Sequence, residues 1–247
     1  MAEDKKADYL LEIEGRCPIC EKDTRFVSKN RWLRGGLICT TCPGGSVPRE
    51  RALAMVLERW APNWRQMPTH ESSPISRGIS LKLRHQGCAY TGTNFHPRQP
   101  MGAMVGGFRN ENLEEQTFAD KQFGLVVTLD VFEHVFEPGK MMKEIFRTLM
   151  PGGLYICTFP IRPYQVDSHK VRAKLLPSGE VEHLEEPEYH GNPIDKKGSL
   201  VTFDYGYAIH QMIGRWAPFE VEISRFNKPS AGILGEYTEV IVCRKPD

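Results

Sequence analysis

Hydrophobic and polar positions along this chain fall into two rhythms. Phe123 to Leu129 (FGLVVTL) and Leu154 to Phe159 are short apolar runs bounded by polar segments. That is the pattern of parallel strands covered on both faces. Between them Pro138 can open a helix without losing a needed donor. Met142, Ile145, Phe146 and Leu149 then fall on one side at helical spacing, with Lys143, Glu144 and Arg147 on the other. Pro151-Gly152-Gly153 stops that helix and turns the chain into the next strand. The unit is β-loop-α-turn-β, the building block of a doubly wound, mostly parallel α/β sheet. In such sheets ligands sit beyond the carboxyl ends of the strands. Here that end is Thr128-Leu129-Asp130, followed by Val131-Phe132-Glu133-His134.

The same reading extends in both directions. A short helical lead opens the chain, and Pro48 to Trp60 reads as a helix with Leu53, Val56, Leu57 and Trp60 on one face. Met67 to Pro74 holds a strand and its loop, Ser76 is placed to cap a helix over Arg77 to Arg84, and Ala89 to Phe95 is a second strand. After Pro160 the rhythm is lost, and Pro163 to Ser199 is a polar insertion with His169, His183 and His190 among many acids. Long irregular segments at a strand end are commonly functional lids. These histidines lack a ligand spacing, so they read as solvated lid residues, with Tyr189-His190-Gly191-Asn192-Pro193 the most site-like stretch. Leu200 to Phe203 is extended, Tyr205 to Trp216 helical, and Phe219 to Phe226 with Thr238 to Arg244 forms a closing antiparallel pair.

Composition adds limits. The 247 residues, 40% hydrophobic and 26% charged, suit a packed core plus an appendage. A net charge of +1 offers no support for a dedicated nucleic-acid surface. No apolar run approaches the roughly 18 residues of a membrane helix, and the charged start MAEDKKADY lacks a secretory pattern, so the expected location is cytoplasmic.

The cysteines change the picture most. Cys17-Pro18-Ile19-Cys20 and Cys39-Thr40-Thr41-Cys42 form two C-x2-C knuckles separated by 18 residues. Four thiolates at this spacing complete the closed tetrahedral shell of a structural zinc, with no open position for catalysis. Phe26-Val27 and Leu37-Ile38 supply the strands of a ribbon between them. Arg31, Arg34, Arg49, Arg51 and Trp32 offer a basic surface, diluted by Glu21, Asp23 and Glu50, so nucleic-acid contact through this module is disfavoured. Three units follow: a zinc-ribbon-like module over 1–47, a linking helix over 48–66, and an α/β domain over 67–247 with its insertion at 163–204.

The combination F-x-LVVT-x-DV-x-EHV…E-x-x-R-x-L-x-PGG resembles strands four and five of class I S-adenosylmethionine-dependent methyltransferases, and the resemblance covers roughly Met67 to Pro160. It implies a seven-stranded sheet closed by an antiparallel pair, with S-adenosylmethionine at its carboxyl edge. His70-Glu71-Ser72-Ser73-Pro74 resembles a variant of the first-strand loop, in which Glu71 supplies the acid and Ser72 and Ser73 replace glycines. Asn94 stands where an acid usually meets the ribose, and the resemblance implies that Asn112, beside Leu113, reaches the adenine amino group. Leu129 and Asp130 complete the implied cradle. His134 and His190 are the candidates for a general base toward a small-molecule or glycan acceptor.

Two other classes compete with a methyltransferase. One is a non-catalytic binding or scaffold protein that uses the zinc ribbon for recognition, supported by the Ser72-Ser73 and Asn94 departures. The other is an NAD-dependent oxidoreductase, whose strand-G-x-G-x-x-G-helix order is missing around Gly102, Gly106 and Gly107.

Overall fold

The computed structural model describes residues 9–165, 167–192 and 195–247. The N-terminal module is a three-stranded antiparallel sheet of β1 (Leu11–Arg16), β2 (Asp23–Ser28) and β3 (Ile38–Cys39), with one helical turn, α1 (Leu33–Gly36). The start of the expected helical lead lies outside the described residues. Its remainder is strand, because Leu11-Glu12-Ile13-Glu14 alternates with a period of two and buries one side.

Helix α2 (Pro48–Trp60) starts at a proline and ends as expected. Then follow β4 (Pro68–Ser72), α3 (Gly78–Gln86), β5 (Ala89–Asn94), β6 (Met104–Val105) and β7 (Phe108–Asn110). Ser76 is not the cap of α3, which begins at Gly78 in a left-handed conformation. Instead Ser80 Oγ, inside the helix, accepts the Ile75 N–H. Next come β8 (Phe123–Leu129), α4 (Pro138–Thr148) and β9 (Leu149–Thr158).

The insertion is more ordered than its polarity suggests. Strands β10 (His169–Val171), β11 (Ala173–Leu175), β12 (Val181–His183), β13 (Tyr189–His190), β14 (Ser199–Leu200) and β15 (Phe203–Tyr205) pair as β10·β15, β11·β12 and β13·β14. Ion pairs from Arg162 and Arg172 to Asp204 and Glu188 tie these hairpins together. The following helix is shorter than expected, α5 (Ile209–Trp216), because Phe203 and Tyr205 are drawn into strand and stack among Phe132 and Phe159. Strands β16 (Glu220–Ser224) and β17 (Val240–Arg244) close the chain as the antiparallel pair.

The main sheet has eight strands in the order β16-β17-β9-β8-β4-β5-β7-β6, one more than the expected seven, because the short β6 pairs antiparallel with β7 at its edge. Strands β9, β8, β4, β5 and β7 run parallel, while β17 is antiparallel to both of its neighbours. Two apolar clusters fill its faces. One gathers Phe132, Met141, Ile145 and Tyr205 with α4 and α5. The other joins Leu53, Val56 and Leu57 of α2 to Leu125, Val127 and Ile156 of the sheet, and continues into Phe26, Leu37, Cys17 and Cys39. The cysteine module thus shares one core with the sheet and reaches its carboxyl edge.

Candidate active site

At that edge β4 ends at Ser72, and Ser73 follows it. Ser73 takes a left-handed φ of +58° and donates its N–H to the Thr93 carbonyl at 2.7 Å, so the loop folds back over β5. The module clamps the other side of this loop. Glu50 of α2, fully buried, pairs with Arg77 at 3.0 Å, and a Cβ on Gly78 would meet the same carboxylate.

Glu71 points inward. Its two oxygens accept hydrogen bonds from Ser80 Oγ and from Tyr90 OH at 2.6 Å, and burial raises its carboxyl to about 7. Asn94 differs: its backbone carbonyl accepts from the Glu111 N–H, while its amide finds no side-chain partner among the described residues. Beside it Phe95 is 46% exposed at the end of β5. Asn110 staples the adjoining loop, donating to the carbonyls of His96, Gln99 and Pro100 and accepting from the His96 N–H. Asn112 accepts from the Glu114 N–H at 3.0 Å, and Leu113 is buried beside it.

Leu129 is half-buried, and Asp130 follows it with φ at +53°. Arg34 donates to both carboxylate oxygens of Asp130, at 2.9 and 2.6 Å, and Arg49 Nε lies 2.7 Å from Oδ2. Burial alone would raise this carboxyl, but Arg34 and Arg49 hold it down at about 2. Three of the four arginines expected on a basic surface therefore face inward. The third, Arg51, is fully buried and donates to the carbonyls of Ser46, Leu37 and Gly232.

His134 and His190 come together. Their rings meet edge to face at 5.1 Å, His134 on the turn after β8 and His190 on β13. The Leu200 carbonyl accepts from His134 Nδ1 at 2.8 Å; a carbonyl cannot donate, so Nδ1 carries the proton and Nε2 is left to accept. His190 Nε2 lies 3.3 Å from Glu188, whose carboxylate Arg162 holds at 2.8 and 3.0 Å. His190 Nδ1 lies 3.4 Å from Glu133, and that carboxylate raises the imidazole above its ordinary value against the lowering effect of burial. The sequence carries no local sign of this meeting, because residues 134 and 190 share no spacing. His169 and His183 stay apart from it, on β10 and β12.

The four cysteines converge at the base of the module, with Cys17 Sγ 3.6 Å from Cys42 Sγ and all four sulfurs mutually within 4.8 Å. Tetrahedral ligation at about 2.3 Å separates sulfurs by roughly 3.8 Å, so the array fits a zinc ion. Hydroxyls of Ser46 and Thr24 approach Cys17 and Cys39, at 3.8 and 3.5 Å, as outer partners of the thiolates. A wide cleft of about 1010 Å³ lies nearby, between β1 and Lys228 to Ala231, and its rim mixes Glu14, Arg16, Asp23 and Arg25.

Comparison with known proteins agrees with this architecture. The family described as a methyltransferase domain matches residues 78–157. A ubiquinone biosynthesis O-methyltransferase from Methylobacterium sp. is 24% identical over 156 residues, 59% of this chain. The match spans 61% of that relative's length. Among solved structures, an S-adenosylmethionine dependent methyltransferase from Mesorhizobium loti superposes with a TM-score of 0.50 at 12% identity, over 78% of this chain and 98% of that one. The glycopeptide N-methyltransferase MtfA, complexed with sinefungin, gives a TM-score of 0.52 at 16% identity, over 82% and 95%. At these identities the structural likeness establishes the fold. No helix among the described residues is long and apolar enough to cross a membrane.

Proposed function

We propose that this chain, a class I S-adenosylmethionine-dependent methyltransferase by fold and family match, transfers a methyl group to a hydroxyl of a small molecule or sugar. The observation that carries the reading is the sheet order, five parallel strands flanked by the antiparallel β17, coinciding with the family match at 78–157. The acceptor class draws on the O-methyltransferase relative.

The residues at the edge fit a nucleoside cofactor through β5. The unpartnered amide of Asn94 can donate to and accept from a diol, and the exposed ring of Phe95 offers a flat surface to a base. Ser73 and Leu113 line the same edge. Glu71 and Asp130 serve the site differently from the cradle that the sequence suggests: Glu71 fixes the β4 loop to α3, and Asp130 fixes the module to the edge. When bound, S-adenosylmethionine supplies an activated methyl group on a sulfonium. The chain then has to hold an acceptor oxygen in line with it, and most of the acceleration comes from that alignment. Proton removal falls to the acceptor side, where His134 Nε2 presents a lone pair beside His190. The insertion carrying His190 would admit and orient the acceptor.

A zinc ion on Cys17, Cys20, Cys39 and Cys42 would act structurally, completing the core that the module shares with the sheet. The competing reading, a non-catalytic scaffold, is favoured by one observation, the capture of Asp130 by two arginines. Incubation with methyl-labelled S-adenosylmethionine and a panel of phenolic and sugar hydroxyls separates the two. Label transfer to any acceptor supports the enzyme; cofactor binding with no transfer to the panel favours the scaffold.

A further inference from the structure

We propose that Glu133, His134 and His190 form a binding site for a divalent transition-metal cation at the carboxyl edge of the sheet. Glu133 is 2% exposed, yet neither carboxylate oxygen has a hydrogen-bond partner. A bare buried carboxylate is costly unless a cation meets it. His190 Nδ1 lies 3.4 Å and His134 Nε2 3.7 Å from Glu133 Oε1, and the three candidate ligand atoms lie mutually within 4.8 Å. Metal–ligand distances of about 2.1 Å in octahedral or tetrahedral geometry place neighbouring ligands about 3.0 to 3.5 Å apart, so only small side-chain rotations are needed.

Both imidazoles are already turned for ligation. The Leu200 carbonyl holds the Nδ1 proton of His134, which leaves Nε2 for the ion. Glu188, fixed by Arg162, faces His190 Nε2 and leaves Nδ1 for the ion. Such outer hydrogen bonds set the tautomer and ring orientation of ligating histidines. One carboxylate and two imidazoles select a first-row transition ion over Mg²⁺ or Ca²⁺, and leave coordination positions open. This site is separate from the four-cysteine array, which has no position to spare. With the ion in place His134 Nε2 is a ligand and no longer a base, and an oxygen ligand in an open position would instead be acidified by the ion. Use of the cation on an acceptor hydroxyl rests on the methyltransferase reading, whereas its binding does not.

The test is titration of the full chain with Mn²⁺, followed by the loss of the free-ion paramagnetic resonance signal, with neither cofactor nor acceptor present. Thiolates are poor ligands for Mn²⁺, so the probe reports on the imidazole and carboxylate cluster. Saturable binding near one equivalent is expected, weakened at least tenfold in Glu133→Gln and His190→Ala and unchanged in His183→Ala, which alters an exposed residue of β12. His190 is 30% exposed in the insertion, so its variant is informative even where Glu133→Gln impairs folding. Mn²⁺ remaining free at millimolar concentration, or binding equally to wild type and His190→Ala, overturns the site. Mn²⁺ binding without any affinity for S-adenosylmethionine would leave the site standing and overturn the methyltransferase reading alone.

Discussion

Arg34 of the cysteine module forms a two-point ion pair with Asp130, 96 residues further along, at the end of the strand that anchors the sheet. The pair is sealed from solvent, with the two side chains 9% and 17% exposed. It holds Asp130 in a left-handed conformation that a non-glycine residue rarely adopts. The module is therefore part of the architecture of the sheet edge.

Breaking this pair leaves a buried carboxylate with Arg49 as its one remaining ion-pair partner among the described residues. Arg34→Ala is expected to destabilise the chain by about 3 kcal/mol, measured by denaturant unfolding. Arg34→Lys should recover only part of the loss, because an ammonium cannot span both oxygens. A variant as stable as wild type would show the pair to be incidental.

Metal removal should act on the whole chain. Cys17 and Cys39 belong to the same apolar cluster as Leu57, Val127 and Ile156. Cys39→Ser, or chelation, is expected to abolish stoichiometric zinc in metal analysis and to lower a single melting transition. A separate low-temperature transition, with the main one unmoved, would mean that the module folds alone.

Glu71 gives a pH signature. Burial raises its carboxyl to about 7, above the value near 4.3 of an unfolded chain. The native state then keeps a proton that the unfolded state has released, so this contribution is complete below about pH 4 and is lost as pH rises to about 7. Glu71→Gln removes that loss. Its stability relative to wild type should climb between those values, by at most about 4 kcal/mol, and stay level above them. Buried His70, lowered to about 3, has an opposing profile that is common to both proteins and cancels in the difference.

Much of the scaffold is legible in the sequence because it depends on local pattern. Phe123–Leu129 and Pro48–Trp60 have the observed bounds, and the two C-x2-C knuckles give the cysteine cluster directly. Glu12 and Glu14 disguise β1, whose alternation shows only when it is tested against a period of two. The site is less legible, since its key relations join distant residues. Nothing near Arg34 announces Asp130, and nothing near His134 announces His190. Charge also misleads there: Arg34, Arg49 and Arg51 read as surface cations, but a buried carboxylate and three backbone carbonyls take them inside. Likewise nothing near Glu71 announces that Ser80 and Tyr90 bond its carboxylate.

The central claim is that the carboxyl edge of this sheet binds S-adenosylmethionine. Calorimetric titration with S-adenosylmethionine and S-adenosylhomocysteine tests it most directly, on wild type and on Asn94→Ala. Saturation at one equivalent per chain is expected, with several-fold to tenfold weaker binding in the variant, the effect of a lost hydrogen bond worth about 1 kcal/mol. No saturable heat from either compound up to millimolar concentration, with the protein folded, would contradict the account.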